Sequence, residues 1–220
     1  MIALLDSGEG GLNTYRHLHA LLPKESLLLS LDYANSPYGD KPREELERIV
    51  ADRLCRLRDG GAERILIACC TASTVYHSLP DGIKKMSTPI ITPTARAARA
   101  ATECGRIALL ATSATVSSMA FPEALPECSV LQLSAGELVG AVEDGVASSE
   151  NEARELLAPY IRAAEDFGAD TLILGCTHFS SLSRVIRGML SENAGEKPPM
   201  SVIDSAFMGA REMARLLRAQ

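Results

Sequence analysis

Two cysteines occupy matching places about a hundred residues apart. The run Ile65-Leu66-Ile67-Ala68 leads into Cys69, Cys70 and Thr71, and the run Thr171-Leu172-Ile173-Leu174-Gly175 leads into Cys176, Thr177 and His178. Each run is short, apolar and stops at a small residue, which suits a buried strand of a parallel sheet covered by helices on both faces. In such sheets ligands bind just past the carboxyl ends of the strands. A cysteine at the start of a helix can have its thiol pKa lowered, whereas a lone free cysteine is usually buried and inert. Two cysteines placed alike, each close to a threonine, outweigh the inert reading that either would take alone. His178, two residues past Cys176, can accept or supply the thiol's proton or stabilise the thiolate. Asp6-Ser7-Gly8-Glu9-Gly10-Gly11 is a glycine-rich turn that lets backbone N–H groups approach an anion at a helix start. It is neither a dinucleotide fingerprint nor a P-loop, and the plainer reading is a tight turn with Asp6 or Ser7 as the helix cap.

Two opposed thiols, with a carboxylate near one and an imidazole near the other, have a specific use. They remove a proton from one face of a carbon and return one to the other face, which is racemisation or epimerisation. The α-hydrogen of an amino acid is very weakly acidic, so one thiol must act as base while the other stays a protonated acid. N–H and hydroxyl donors must also take up the charge that builds on the substrate carboxylate. Cys70 reads as a neighbour of the reactive thiol. Cys55, Cys104 and Cys128 fall in expected helix or loop positions and read as structural; His17, His19 and His77 read as surface or core.

The elements that must position these groups follow from the pattern. Strands are expected at 2–5, 27–31, 65–68, 88–92, 106–111, 129–133, 171–175 and 201–204. Helices are expected at 12–22, from Pro42 to the Gly60-Gly61 pair, and at 95–103, 136–146, 151–167, 182–190 and 206–218. Pro159 counts against the helix at 151–167. The segment 32–41 reads as a loop and 193–199 as the most linker-like stretch. Alternating strands and helices imply a mostly parallel α/β architecture. The order strand, turn, helix, strand occurs twice, around Asp6 and Cys69 and again around Thr112 and Cys176, as two similar halves meeting at a cleft.

Composition narrows the partners. The 220 residues allow one large α/β domain or two small ones. The net charge of -6 and the absence of a basic cluster argue against nucleic acid or an anionic membrane. The first residues do not read as a signal peptide, and no apolar run reaches membrane-spanning length, so a cytoplasmic location is expected. Six cysteines in such a chain read as free thiols. With no C-x-x-C pair and scattered histidines, neither structural zinc nor a thiol redox protein is expected.

Six segments in order carry a resemblance to a known family. Asp6-Ser7-Gly8-Glu9-Gly10-Gly11-Leu12, Pro37-Tyr38-Gly39-Asp40-Lys41, Ala68-Cys69-Cys70-Thr71-Ala72, Thr112-Ser113-Ala114-Thr115-Val116, Gly175-Cys176-Thr177-His178 and Val202-Ile203-Asp204-Ser205 resemble the motifs of the glutamate racemases, in the aspartate/glutamate racemase superfamily. The resemblance implies two flavodoxin-like parallel-sheet α/β domains related by a pseudo-twofold, with the active site in the cleft between them. Residues 1–93 plus 204–220 would form the first domain and 94–203 the second. It implies Cys69 and Cys176 as the acid/base thiols, with Asp6 and His178 assisting. Ser7, Pro37, Tyr38, Gly39, Cys70, Thr71, Thr112, Thr115 and Thr177 would hold the amino acid. No cofactor and no metal are implied. The expected partner is a small amino-acid substrate, with a homodimer as the assembly and D-glutamate for peptidoglycan as the product.

Three departures from the family pattern stand out. Cys70 replaces an asparagine that contacts substrate in the family, and a thiol is a poor substitute for an amide that both donates and accepts. Ser134-Ala135-Gly136 replaces an A-C-P segment, while Glu143 keeps the place of a family glutamate. The sequence stops soon after Leu217, short of a strand and helix usual in the family, so an open sheet edge or one filled by dimerising is expected. Glutamate is the first substrate expected, with aspartate or another amino acid turned over by the same superfamily as the alternative. The alternative from another class is a degenerate racemase kept as a binding or regulatory protein.

Overall fold

The structure is a computed structural model that describes residues 1–195 and 198–219. Its strands are β1 (Ile2–Asp6), β2 (Leu27–Leu31), β3 (Arg64–Ile67), β4 (Ser87–Pro89), β5 (Arg106–Ala111), β6 (Ser129–Ser134), β7 (Thr171–Gly175) and β8 (Ser201–Asp204). The helices are α1 (Gly11–Leu21), α2 (Arg43–Asp59), α3 (Cys70–Ser73), α4 (Asp81–Lys84), α5 (Ile91–Ala101), α6 (Ser113–Ser117), α7 (Ala120–Ala124), α8 (Glu137–Glu143), α9 (Glu150–Asp166), α10 (Ser183–Ala194) and α11 (Ser205–Arg218). Short 3-10 turns include Tyr38–Asp40 and Thr177–Leu182.

The strands form two four-stranded parallel sheets of the same order, β2-β1-β3-β4 and β6-β5-β7-β8. This is the doubly wound α/β architecture expected, and it occurs twice. In each sheet the chain moves outward on one side and then crosses to the other. The switch point lies between β1 and β3 in one sheet and between β5 and β7 in the other, and ligands gather at such points.

Strand periodicity divides the cores. In β1, Ala3 and Leu5 face one side with Ile65, Ile67 and α2 residues such as Val50 and Leu54. Ile2 and Leu4 face the other side with Leu18 of α1 and Ala210, Met213 and Ala214 of α11. In β5, Ala108 and Leu110 meet Leu157 and Ile161 of α9. Ile107 and Leu109 meet Ala95 and Ala98 of α5. Helices therefore cover both faces of each sheet, which is why the central strands carry unbroken apolar runs. Helix α11 packs on α1 and also meets α5, and Gly209 lies so close to Ile90 that an added Cβ would sit 2.6 Å from Ile90 Cγ1.

One expected strand needs correction. The strand expected at 88–92 is β4, Ser87–Pro89, and α5 already begins at Ile91. Pro93 lies in the first turn of α5, where its missing N–H has no intrahelical acceptor in any case. The helix expected at 151–167 is α9, and Pro159 sits inside it without ending it. It is on the exposed face, where water can take the carbonyl that loses its N–H partner. The linker-like 193–199 begins as the end of α10, and residues 196 and 197 lie outside the described residues.

Candidate active site

A cavity of about 320 Å³ opens where the ends of the central strands of both sheets meet. Its wall includes Asp6, Ser7, Pro37, Tyr38, Gly39, Cys69, Cys70, Thr71, Thr112, Cys176, Thr177 and His178. Thr115 alone of the expected site residues is not on that wall; it is fully buried behind Thr71 and Thr112. Sequence spacing thus brought together groups from β1, β3, β5 and β7 that are far apart in the chain.

Cys69 caps α3, and its Sγ accepts the Ala72 N–H at 3.5 Å, a contact that favours the thiolate. Ser7 Oγ lies 3.6 Å from the same sulfur. Burial and then the Asp6 carboxylate push the Cys69 thiol up to about 12. Cys176 leaves β7 through Gly175, where a Cβ would press 2.6 Å from Leu109 Cδ1 and 3.0 Å from Leu110 O. Only glycine lets β7 lie this close to β5 at the point where the thiol is delivered. Cys176 Sγ lies 3.7 Å from His178 Nδ1, and burial raises this thiol as well. Burial thus opposes the thiolate at both sulfurs, and the ammonium of a bound amino acid would favour it.

Asp6, at the end of β1, is 1% exposed. Its Oδ1 accepts the Gly8 N–H at 3.2 Å and its Oδ2 accepts the Thr177 hydroxyl at 3.0 Å. It steadies the glycine turn, but it is not the cap of α1: that position is Gly10, with no side-chain bond. Burial raises the Asp6 pKa to about 6, with His178 pulling it back down. Three hydroxyls join the two halves: Thr71 lies 3.0 Å from Thr112 and 3.2 Å from Thr115. No Lys or Arg is among the described residues lining the cavity, so hydroxyl and N–H donors are what it offers a carboxylate.

Cys70 is 2% exposed and faces the cavity. Burial raises its pKa, with the Ser205 hydroxyl opposing. That hydroxyl is buried and makes no hydrogen bond within normal limits among the described residues. A thiol there leaves it under-satisfied, where an amide has both a donor and an acceptor to give.

The Asp/Glu/hydantoin racemase family model matches residues 12–213. The chain belongs to this family. A glutamate racemase of Corynebacterium kroppenstedtii is 32% identical over 223 residues, covering 98% of this chain and 74% of that protein. The structure of a glutamate racemase isoform from Bacillus anthracis has a TM-score of 0.84 at 30% identity, covering 100% of this chain and 82% of that one. That of the Francisella tularensis glutamate racemase in complex with D-glutamate has a TM-score of 0.81 at 26% identity, covering 99% and 80%.

Two acidic residues around the cavity, Glu143 on its wall and Asp32 behind Tyr38, escaped the chemical reading of the sequence. Asp32 follows β2 and accepts the Tyr38 hydroxyl at 2.7 Å and the Asn35 amide at 2.9 Å. Burial and this bond keep Tyr38 protonated as a donor. The available signal was its place just past a strand end, the same signal that marked Asp6. Glu143, noted in the sequence only for its family position, ends α8 and lies 3.0 Å from His178 Nε2. Cys55 and Cys128 are half-buried and Cys104 is exposed, all as free thiols away from the cavity. His19 and His77 are exposed and His17 is half-buried. Among the described residues no helix is long and apolar enough to cross a membrane.

Proposed function

We propose that this protein interconverts L- and D-glutamate by moving protons between the substrate α-carbon and two opposed thiols, Cys69 and Cys176. The observation that carries this reading is the matched placement of the thiols. Each follows the strand beside the switch point of its own sheet, and both line one cavity. Substrate specificity for glutamate draws on relatives such as the Corynebacterium and Francisella enzymes.

In this reading the thiolate at one sulfur takes the α-proton, and the thiol at the other gives its proton to the opposite face. Asp6 and Ser7 serve Cys69, and His178 serves Cys176. The substrate ammonium, next to Asp6, lowers the thiol pKa values that burial has raised. Thr71, Thr112, Thr177, Ser7, Tyr38 and the backbone near Pro37 and Gly39 hold the carboxylates, and Thr115 positions Thr71 and Thr112. Such donors stabilise the developing charge with no reorganisation during the reaction. The chemistry needs no cofactor.

The same proposal divides the chain into residues 1–93 plus 204–220 and residues 94–203. The packing of α11 on α1 supports that division. It also includes a homodimer, a cytoplasmic location and D-glutamate supply for peptidoglycan, which follow the family.

Cys70 favours a second reading, a site that binds an amino acid without turning it over. Circular dichroism of L- and D-glutamate incubated with reduced protein separates the two. Racemisation of both, lost by on the order of a thousandfold or more in Cys69→Ser and in Cys176→Ser, supports the proposal. Calorimetric binding of D-glutamate with no racemisation supports the second reading and overturns the first.

A further inference from the structure

A second cavity of about 200 Å³ adjoins the first, lined among others by Asn13, Arg16, Val142 and Ser181. The two cavities share His178 and Glu143 as a common wall. The pair is graded in exposure: the His178 side chain is 7% exposed and that of Glu143 is 43%. His178 Nδ1 faces Cys176 Sγ at 3.7 Å, and its Nε2 faces Glu143 Oε1 at 3.0 Å. The ring therefore has a partner for either tautomer. With the proton on Nε2, it donates to Glu143 and leaves Nδ1 to accept from the Cys176 thiol. With the proton on Nδ1, the bare Nε2 accepts the Gly10 N–H at 3.2 Å.

We propose that Cys176, His178 and Glu143 form a proton relay that opens through Glu143 into this second cavity and resets the protonation of Cys176 between turnovers. The inference rests on the racemase reading above. It answers a requirement of that chemistry. After each turnover one sulfur has gained a proton and the other has lost one, so repeating the same direction requires both to be reset. When Cys176 must lose a proton, the Sγ–H bond breaks and the proton passes to Nδ1. The Nε2 proton then passes to Glu143 Oε1, and Glu143 releases it to water. The thiolate remains and one proton has reached solvent; loading the thiol runs the same steps backwards. Cys69 has no matching route among the described residues. Its neighbour Asp6 is 1% exposed and spends its oxygens on Gly8 and Thr177. Cys69 thus exchanges only through the substrate cavity, while Cys176 has an exit of its own.

Reset occurs in the unliganded enzyme, so slowing it lowers kcat and spares kcat/KM. The experiment measures both constants in both directions for the wild type, Glu143→Gln and Glu143→Ala. The relay predicts that kcat for Glu143→Gln falls on the order of tenfold, with a much smaller fall in kcat/KM. It further predicts that acetate, small enough for the second cavity, restores kcat of Glu143→Ala in proportion to its concentration. If Glu143 only orients His178, kcat/KM falls as much as kcat and acetate restores nothing; that result overturns the relay and leaves the racemase reading intact. A wild type that racemises no glutamate overturns both.

Discussion

Asp6 shows how a single carboxyl ties stability to function. Its folded-state pKa of about 6 lies above the ordinary value of 3.8, chiefly because burial opposes its charge. The folded protein therefore holds this proton more tightly than the unfolded chain. The stabilising effect is complete below about pH 3.8 and is lost as the pH rises through about 6. At neutral pH the buried carboxylate costs up to about 3 kcal/mol. Asp6→Asn carries no such charge, so its thermal midpoint should exceed that of the wild type at pH 7. The gap should close as the pH falls through about 6 and below 3.8, where Asp6 becomes neutral in both states. Because Asp6 raises the Cys69 thiol, the same variant should alkylate faster at Cys69 while racemising about a hundredfold more slowly. Equal midpoints across that pH range, measured by calorimetry, would contradict the buried-charge account.

At the scale of elements, close approaches hold the two thiols in register. Helix α1 begins at Gly11, and Gly10 before it abuts the loop that follows Cys176. A Cβ at Gly10 would collide with Thr177 Oγ1, lie 2.7 Å from His178 Nδ1 and lie 2.8 Å from His178 N. Gly10→Ala should cost about 1–3 kcal/mol by overpacking. It should also lower kcat about a hundredfold by shifting Cys176 and His178 out of line. Gly82→Ala, in α4 with no neighbour within 4 Å of the added Cβ, is the control. It should be neutral or stabilise by about 0.5–1 kcal/mol in a urea titration.

This is also the scale at which the sequence was most informative. The apolar runs ending at Ala68 and Gly175 marked β3 and β7, because strands buried on both faces leave no room for polar residues. The positions of Cys69, Cys176 and Asp6 followed from those strand ends. Asp32 was missed because its use depends on Tyr38 and Asn35, which the 3-10 turns after β2 fold back towards it. Pro93 misled for a local reason: it reads as a boundary until its first-turn position is known. The helix expected across Pro159 formed, because that residue lies on the exposed face.

In the proposed reaction, the repeated sheet lets two thiols do what one cannot. A single doubly wound sheet offers one switch point, and so one face of a bound carbon. Two such sheets turned towards one cavity offer a group to each face. The Thr71, Thr112 and Thr115 hydroxyls tie the halves together at the cavity, and α5 and α11 pack together where the chain passes between them.

In the proposed transfer between two opposed thiols, each thiol takes the α-proton of one enantiomer. The most direct measurement is α-hydrogen exchange in D2O, followed by NMR on L- and D-glutamate with Cys69→Ala and Cys176→Ala. Neither variant should racemise. Each should still place deuterium into a single enantiomer with retention, and the two variants should act on opposite enantiomers. Exchange of the same enantiomer by both variants, or racemisation by either one, would contradict the two-thiol transfer.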